Sequence, residues 1–282
     1  DCAGKKYIDF GSGIGVNSLG YCDDGWVKAV TEQAAKLQHI SNLYYNPVQT
    51  ELADKLCRPF ARKFATTFPE CAAALGPKAE MTGTPLRPEL FGGSRAKGLA
   101  LLGFTGTKPV LLMMGGSLGA QSVNKVLRAA LPDLLPSFDL CHICGKGNLA
   151  PELEGTPGYK QLEFVDKELP DILATADLVL SRAGSNALCE FQALGKPMLL
   201  VPYPKGASRG DQILNAQSLE KRGLCRVLLQ ENLTRASLTA ALNRLWADRE
   251  QLEEALRKAP PADGTRRVLE MIEEVQQKKH HG

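Results

Sequence analysis

Two short stretches of the 282-residue chain carry the residue types that a phosphate ligand needs. In Met113-Met114-Gly115-Gly116-Ser117-Leu118-Gly119-Ala120, glycines follow an apolar run and precede a segment of helical spacing. Glycines let the backbone approach a ligand closely, free N–H groups at a helix start attract anions, and the Ser117 hydroxyl adds a donor. A diphosphate suits such a place; a tight strand-to-helix turn that holds nothing is the other reading. Ser181-Arg182-Ala183-Gly184-Ser185-Asn186-Ala187-Leu188-Cys189-Glu190 repeats the plan, with Gly184 permitting the turn and Ser185 able to cap the helix. Glu190 falls about one and a half turns into that helix. A carboxylate there can accept from both hydroxyls of a ribose, as acidic residues do in dinucleotide folds. A solvated helix charge is the bland alternative, which apolar Leu188 and Phe191 on either side make less apt. A polar loop from Pro202 to Gln212, followed by Asn215, forms a third patch after an apolar run.

Other clusters lead elsewhere. Residues 9–20, DFGSGIGVNSLG, hold four glycines, yet no helix of the right pattern begins within them. No acidic residue follows about twenty positions later in a second strand either, so the dinucleotide fingerprint is absent. Cys141-His142-Ile143-Cys144 has the spacing of half a zinc site, but no second C-x-x-C or H-x-x-x-H pair exists to complete it. A buried strand is the better reading, and no metal is expected. The phosphate-loop pattern G-x-x-x-x-G-K-[ST] is missing, which speaks against an ATPase.

These residues need elements to hold them. From residue 109 onward, apolar runs at 109–114, 138–144, 160–165, 177–181, 197–203 and 225–229 alternate with helical spacing at 119–131, 168–176, 185–194, 211–222 and 234–247. Continuous apolar runs are what parallel strands covered on both faces require, so the pattern predicts a doubly wound α/β domain over 109–277. Residues 58–108, rich in proline and glycine, read as a connector with one or two strands. Residues 1–57 read as a small irregular α+β segment, and 252–279 as a charged, solvated terminal helix. A hydrophobic share of 44% and a charged share of 23% describe an ordinary globular chain. With net charge +3 and only 6% aromatics, no nucleic-acid partner is expected. No apolar run reaches the roughly 18 residues of a membrane span, no secretory leader is visible, and eight scattered cysteines suit reduced cytoplasmic thiols.

Taken in order, GGSLGAQSVN, EFVD (163–166), SRAGSNALCE, GKPMLLVPYP and GDQILNAQ resemble the C-terminal half of the MurG-type N-acetylglucosaminyltransferases, glycosyltransferase family 28. The resemblance extends back through Thr66-Thr67-Phe68-Pro69-Glu70 and Thr82-Gly83-Thr84-Pro85-Leu86-Arg87-Pro88, covering about 58–277. It implies a Rossmann-like GT-B C-terminal domain that binds UDP-GlcNAc. In such a site Gly116 and Ser117 would meet the diphosphate. Val165 and the turn 185–190 would enclose the nucleotide, with Glu190 on the ribose, and Gly184, Ser185, Asn186 and Ala187 count among the donor-binding residues. Gln212 would contact the sugar, and Arg87 would reach in from the interdomain segment. The family transfers GlcNAc with inversion onto a lipid-linked acceptor at the cytoplasmic face of the bacterial membrane, which implies peripheral membrane contact. Its acceptor side includes a glycine-rich loop with a histidine in an N-terminal domain. None of His39, His142, His280 and His281 lies in such a loop, so the catalytic residues stay unassigned and an acceptor domain would have to be supplied.

Residues 4–57 are instead similar to the opening segment of acetylornithine aminotransferase, a class III pyridoxal-phosphate family. The cofactor lysine and phosphate segments of that family lie far downstream, where this chain has changed character, so no pyridoxal phosphate is expected. The chain thus reads as a chimera with a seam near Leu56-Cys57-Arg58-Pro59. Three activities follow for comparison: a transferase, a nucleotide-sugar binding module that needs a partner chain, and a remnant aminotransferase.

Overall fold

In the computed structural model, residues 61–116, 119–204, 210–260 and 262–280 are described. They belong to the second of two compact units, 43–282; the segment 1–57, with its expected glycine turns and helix, lies outside the described residues. Strand β1 (Phe64–Thr66), helix α1 (Pro69–Leu75) and strand β2 (Ala79–Met81) form a small unit, with the two strands parallel. Pro69 sits in the first turn of α1, where its missing N–H is no loss. A 3₁₀ turn at Pro88–Gly92 leads to α2 (Arg95–Leu102), capped by the Ser94 hydroxyl accepting from the Lys97 N–H. The composition of 58–108 reveals neither helix, because its prolines fall at first turns and in loops that helices accept.

Beyond residue 109 the expected alternation is borne out. The elements are β3 (Val110–Met114), α3 (Gln121–Leu134), β4 (Asp139–Ile143), β5 (Tyr159–Leu162), α4 (Leu169–Thr175), β6 (Leu178–Ser181), α5 (Ser185–Ala193), β7 (Met198–Leu200), α6 (Asp211–Lys221), β8 (Arg226–Val227) and α7 (Arg235–Ala247). Strands pair in the order β5-β4-β3-β6-β7-β8, all parallel, which is a doubly wound sheet. The pleat sends Leu111 and Met113 to one face, with Val123, Leu127 and Leu134 of α3 and Leu242 of α7. Leu112 points to the other face, with Ile172 of α4, Phe191 of α5 and Leu219 of α6. Each fully buried leucine contributes about 1.5–3 kcal/mol relative to exposure. The helix α3 runs one turn past the expected limit, since Pro132 sits in its last turn and removes only one backbone bond.

The tail corrects an expectation. It is not one solvated helix but two, α8 (Arg249–Lys258) and α9 (Thr265–His280). Leu252 and Leu256 of α8 are buried in the two cores, and the chain turns at Pro260. It then bridges Thr84 to Asp263 in parallel, with the Thr84 N–H donating to Ala262 O at 3.0 Å. Arg267 of α9 forks onto Glu80 of β2 and also reaches Glu274 at 2.8 Å. Leu252 and Leu256 in α8, and Val268, Met271, Ile272 and Val275 in α9, recur at helical spacing, so each helix has an apolar face despite the many charges. Among the described residues no helix is long and apolar enough to cross a membrane.

The C-x-x-C segment is strand β4, as read. His142 is fully buried, with Nδ1 2.8 Å from Tyr159 Oη and Nε2 3.0 Å from Asn124 Oδ1. Among the described residues no cluster of three His, Cys, Asp or Glu groups could hold a metal. Burial, helped by the Arg128 charge, pushes the His142 imidazole down to about 3. The unfolded chain takes up that proton near pH 6.5, about 1.4 kcal/mol of stability per pH unit being lost as pH falls from there toward 3. Urea midpoints between pH 7 and 4 should therefore fall more steeply for this chain than for His142→Gln; equal slopes would refute a neutral, buried imidazole.

Candidate functional site

The strand order reverses between β3 and β6, which are hydrogen-bonded neighbours, so the turns that follow them diverge from one edge. Ser181 Oγ donates to Met114 O at 2.8 Å and fixes the two strand ends together. After β3 the backbone folds tightly. A Cβ on Gly119 would lie 2.1 Å from Cys144 O, and Gly119 has φ +72°. Gly116, exposed and at φ +85°, faces open space. The Gly119 N–H closes the turn on Gly116 O at 3.0 Å. No side chain caps the start of α3, whose first-turn N–H groups have no acceptor within the helix. Ser117 lies outside the described residues, with Leu118.

The turn after β6 differs in two respects from its sequence reading. Gly184 is the cap residue, with φ −71°, an extended conformation open to any residue, and an added Cβ would meet nothing. What this glycine offers is room for close approach. Ser185 stands at the first helical position instead of capping, and no side chain caps α5. Ser185 is buried, Asn186 exposed and Ala187 half-buried, so the helix start presents backbone to the crevice.

Glu190 lies further along α5 with its side chain 14% exposed. Arg87, just before the Pro88 turn, brings Nη2 to 3.5 Å from Glu190 Oε1 across 103 residues of sequence. Burial pushes the Glu190 carboxyl up, and the Arg87 cation opposes that shift. A half-buried carboxylate at the crevice, paired only loosely with an exposed arginine, is free to accept from hydroxyl groups. On the other flank β5 ends at Leu162, so Val165 sits in the following loop, half-buried against the core, beside Phe164 at 68% exposure. An exposed aromatic next to Val165 was not singled out in the sequence, where EFVD reads as strand end.

The third loop leaves β7 through buried Val201 and Pro202; residues 205–209 lie outside the described residues. Gln212, buried in the first turn of α6, accepts at Oε1 from the N–H groups of Ala183 and Tyr203, both at 3.3 Å. Its Nε2 makes no hydrogen bond to another described residue. Asn215 Nδ2 donates to Ala183 O at 3.0 Å, so α6 grips the turn after β6 from both sides of one residue. The sequence also gave no sign of what Arg182 does. It is 5% exposed, donates from Nη1 to Val201 O (3.0 Å) and Pro202 O (3.3 Å), and from Nη2 to Ser122 Oγ (3.0 Å). The crevice thus has two uncapped helix starts, a carboxylate at one side, and donors from three loops, an arrangement suited to an anion joined to a polyol.

Comparison with known proteins gives the family and the fold. Residues 110–274 match the glycosyltransferase family 28 C-terminal domain, and residues 1–74 match the class-III aminotransferases. The UDP-N-acetylglucosamine--N-acetylmuramyl-(pentapeptide) pyrophosphoryl-undecaprenol N-acetylglucosamine transferase of Geobacillus thermodenitrificans is 50% identical over 223 residues, 79% of this chain and 63% of that protein. The transferase of the same name in Lachnoclostridium phytofermentans is 43% identical over 256 residues, 90% of this chain and 72% of its own length. The chain therefore spans less than two thirds of the Geobacillus relative. The crystal structure of Acinetobacter baumannii MurG is similar with a TM-score of 0.62 at 24% identity, over 83% of this chain and 65% of that one. The calicheamicin glycosyltransferase CalG4 gives 0.58 at 18% identity, over 97% and 67%. At such identities the likeness is one of fold.

The glycine turn supplies a test. Gly116→Ala meets no atom and should cost only the left-handed strain, about 1–2 kcal/mol. Gly119→Ala adds a clash with a backbone carbonyl and should cost clearly more in denaturant titrations. Equal losses would mean that the two glycines do not differ in packing.

Proposed function

The chain belongs to glycosyltransferase family 28 through its C-terminal domain, and from that premise we propose that it is the UDP-GlcNAc-binding half of a hexosyltransferase. The transfer is that of GlcNAc to an undecaprenyl-diphospho-muramoyl-pentapeptide acceptor in peptidoglycan synthesis, with inversion at the anomeric carbon. The observation that carries the reading is the meeting of Arg87 and Glu190, 3.5 Å apart, beside the uncapped start of α5. It supports a ribose accepted by Glu190 and an arginine reaching in from the segment before Pro88. Gly116 and Ser117 receive the diphosphate at the start of α3. Val165 and the turn from Gly184 to Ala187 enclose the base, and Gln212 Nε2 donates to the sugar.

In the reaction an acceptor hydroxyl attacks the anomeric carbon, the bond from that carbon to the UDP oxygen breaks, and the hydroxyl proton passes to a base. The negative charge that develops on UDP is met by the N–H groups of α3 and α5. Fixed dipoles of this kind stabilise a transition state without having to reorganise. No pyridoxal phosphate or metal takes part. The base belongs to the acceptor side, for which this chain offers no assigned residue, so turnover needs an acceptor domain. The work takes place in the cytoplasm, peripheral to the inner face of the membrane where the lipid-linked acceptor lies.

Calorimetry of the full chain with UDP-GlcNAc tests the reading. Binding should be saturable, and Glu190→Ala should weaken it about tenfold, a loss in the range of hydrogen bonds to a charged group. That variant should also cease to distinguish UDP from its 2′,3′-dideoxy analogue. Absence of binding at millimolar donor would refute the proposal. UDP release that depends on added acceptor, with no second domain supplied, would overturn the requirement for one.

A further inference from the structure

Arg182 is the most deeply buried guanidinium next to the crevice, and its environment is unusual. Every acceptor around it is neutral: two main-chain carbonyls at the end of β7 and the Ser122 hydroxyl in the first turn of α3. Its planar face stacks on the Tyr203 ring, with Cζ 4.0 Å from the centroid. Its Nε is buried without a hydrogen-bond partner. Among the described residues no carboxylate pairs with it. An arginine keeps its charge in such a place, so a full positive charge lies under the crevice uncompensated. Burying a charge in that way costs stability unless something else repays the cost.

Its position suggests what does. The residue follows Ser181 at the end of β6 and precedes Ala183, whose N–H and C=O are held by Gln212 and Asn215. Through Ser122 it touches the start of α3; through Val201 and Pro202 it touches the strand end that leads to the third loop. One side chain thus ties together all three loops that converge at the strand reversal. Its charge stands behind the first turn of α3, adding to the positive end of that helix.

We propose that Arg182 is a positioning residue for the anionic part of the ligand. Its fork holds the three loops in register, and its unpaired charge favours a diphosphate at the start of α3 without touching it. The inference rests on the donor-site reading above. It predicts discrimination between a charged nucleotide and the same nucleoside without phosphates, which a purely structural tie would not produce.

Titrations of the full chain with UDP and with uridine, for the native sequence, Arg182→Gln and Arg182→Lys, provide the test. Arg182→Gln should weaken UDP roughly tenfold, as removal of a partly buried charge near a helix start does. Uridine affinity should change by less than about twofold. Arg182→Lys, which keeps the charge and loses the fork, should recover part of the UDP loss, to about threefold below the native affinity. Ser122→Ala, at an exposed position, releases one arm without emptying the core and should lower UDP affinity about threefold with uridine unaffected. UDP binding in Arg182→Gln equal to the native chain, or parallel losses for UDP and uridine in all three variants, would overturn the inference. If Arg182→Gln and Arg182→Lys fail to fold, an unchanged UDP affinity in Ser122→Ala overturns it. A native chain that binds neither ligand would instead refute the donor site itself.

Discussion

The reversal of strand order between β3 and β6 is the constraint on which the rest of this molecule depends. The two strands are neighbours, but α3 packs on one face of the sheet and α5 on the other. Their connecting turns must therefore part company, and the starts of α3 and α5 flank the gap between them. Right-handed crossovers leave no other way to cover both faces of a parallel sheet. The glycines at 115, 116 and 119 let the first turn fold back on itself, and the Ser181 bond to Met114 keeps the two exits from spreading.

Around that gap the fold tolerates features that a structure built only for stability would avoid. Two helix starts carry no side-chain cap, although a good cap contributes about 1 kcal/mol. A guanidinium is buried among neutral acceptors, and a carboxylate is half-buried with only a loose partner. The sheet behind them offsets these costs, with Leu111, Leu112, Met113, Leu178, Val179 and Leu180 all fully buried. Rigidity comes from the same side chains that shape the crevice. Gln212 and Asn215 hold Ala183 at both its N–H and its C=O, so the turn after β6 has little freedom to drift.

Two family matches divide the chain, the class-III aminotransferases over 1–74 and the family 28 C-terminal domain over 110–274. The parallel unit of β1, α1 and β2 straddles the end of the first match, and the tail helix α9 returns to it through Arg267, Glu80, Glu274 and Lys63. Exposed ion pairs of this kind are each worth little, but a connected network on one short strand fixes register. The Thr84–Asp263 bridge adds main-chain bonds at the same place.

Much of this was legible in the chain itself, because the relevant signals are local. Apolar runs bounded by glycine or proline mark β3, β4, β6 and β7, and helical spacing marks α3, α5, α6 and α7; both depend on residues within a few positions of each other. The strand–glycine–helix order marks GGSLGA and SRAGSNALCE for the same reason. The sequence by itself thus determined the layer type and the residue types brought to the sheet edge. It misjudged what depends on contacts distant in sequence. The capping role read for Ser185 belongs to Gly184, because the strand end sets where the helix begins. The charged tail divides into α8 and α9, because a few buried leucines and a bridge to Thr84 outweigh its many charges. Only the tertiary structure decided that Arg87 meets Glu190 across 103 residues and that Arg182 joins three loops. Strand order joins the groups around Arg182, while packing of the Pro88 turn and α2 against α4 brings Arg87 to α5, and no local periodicity carries either.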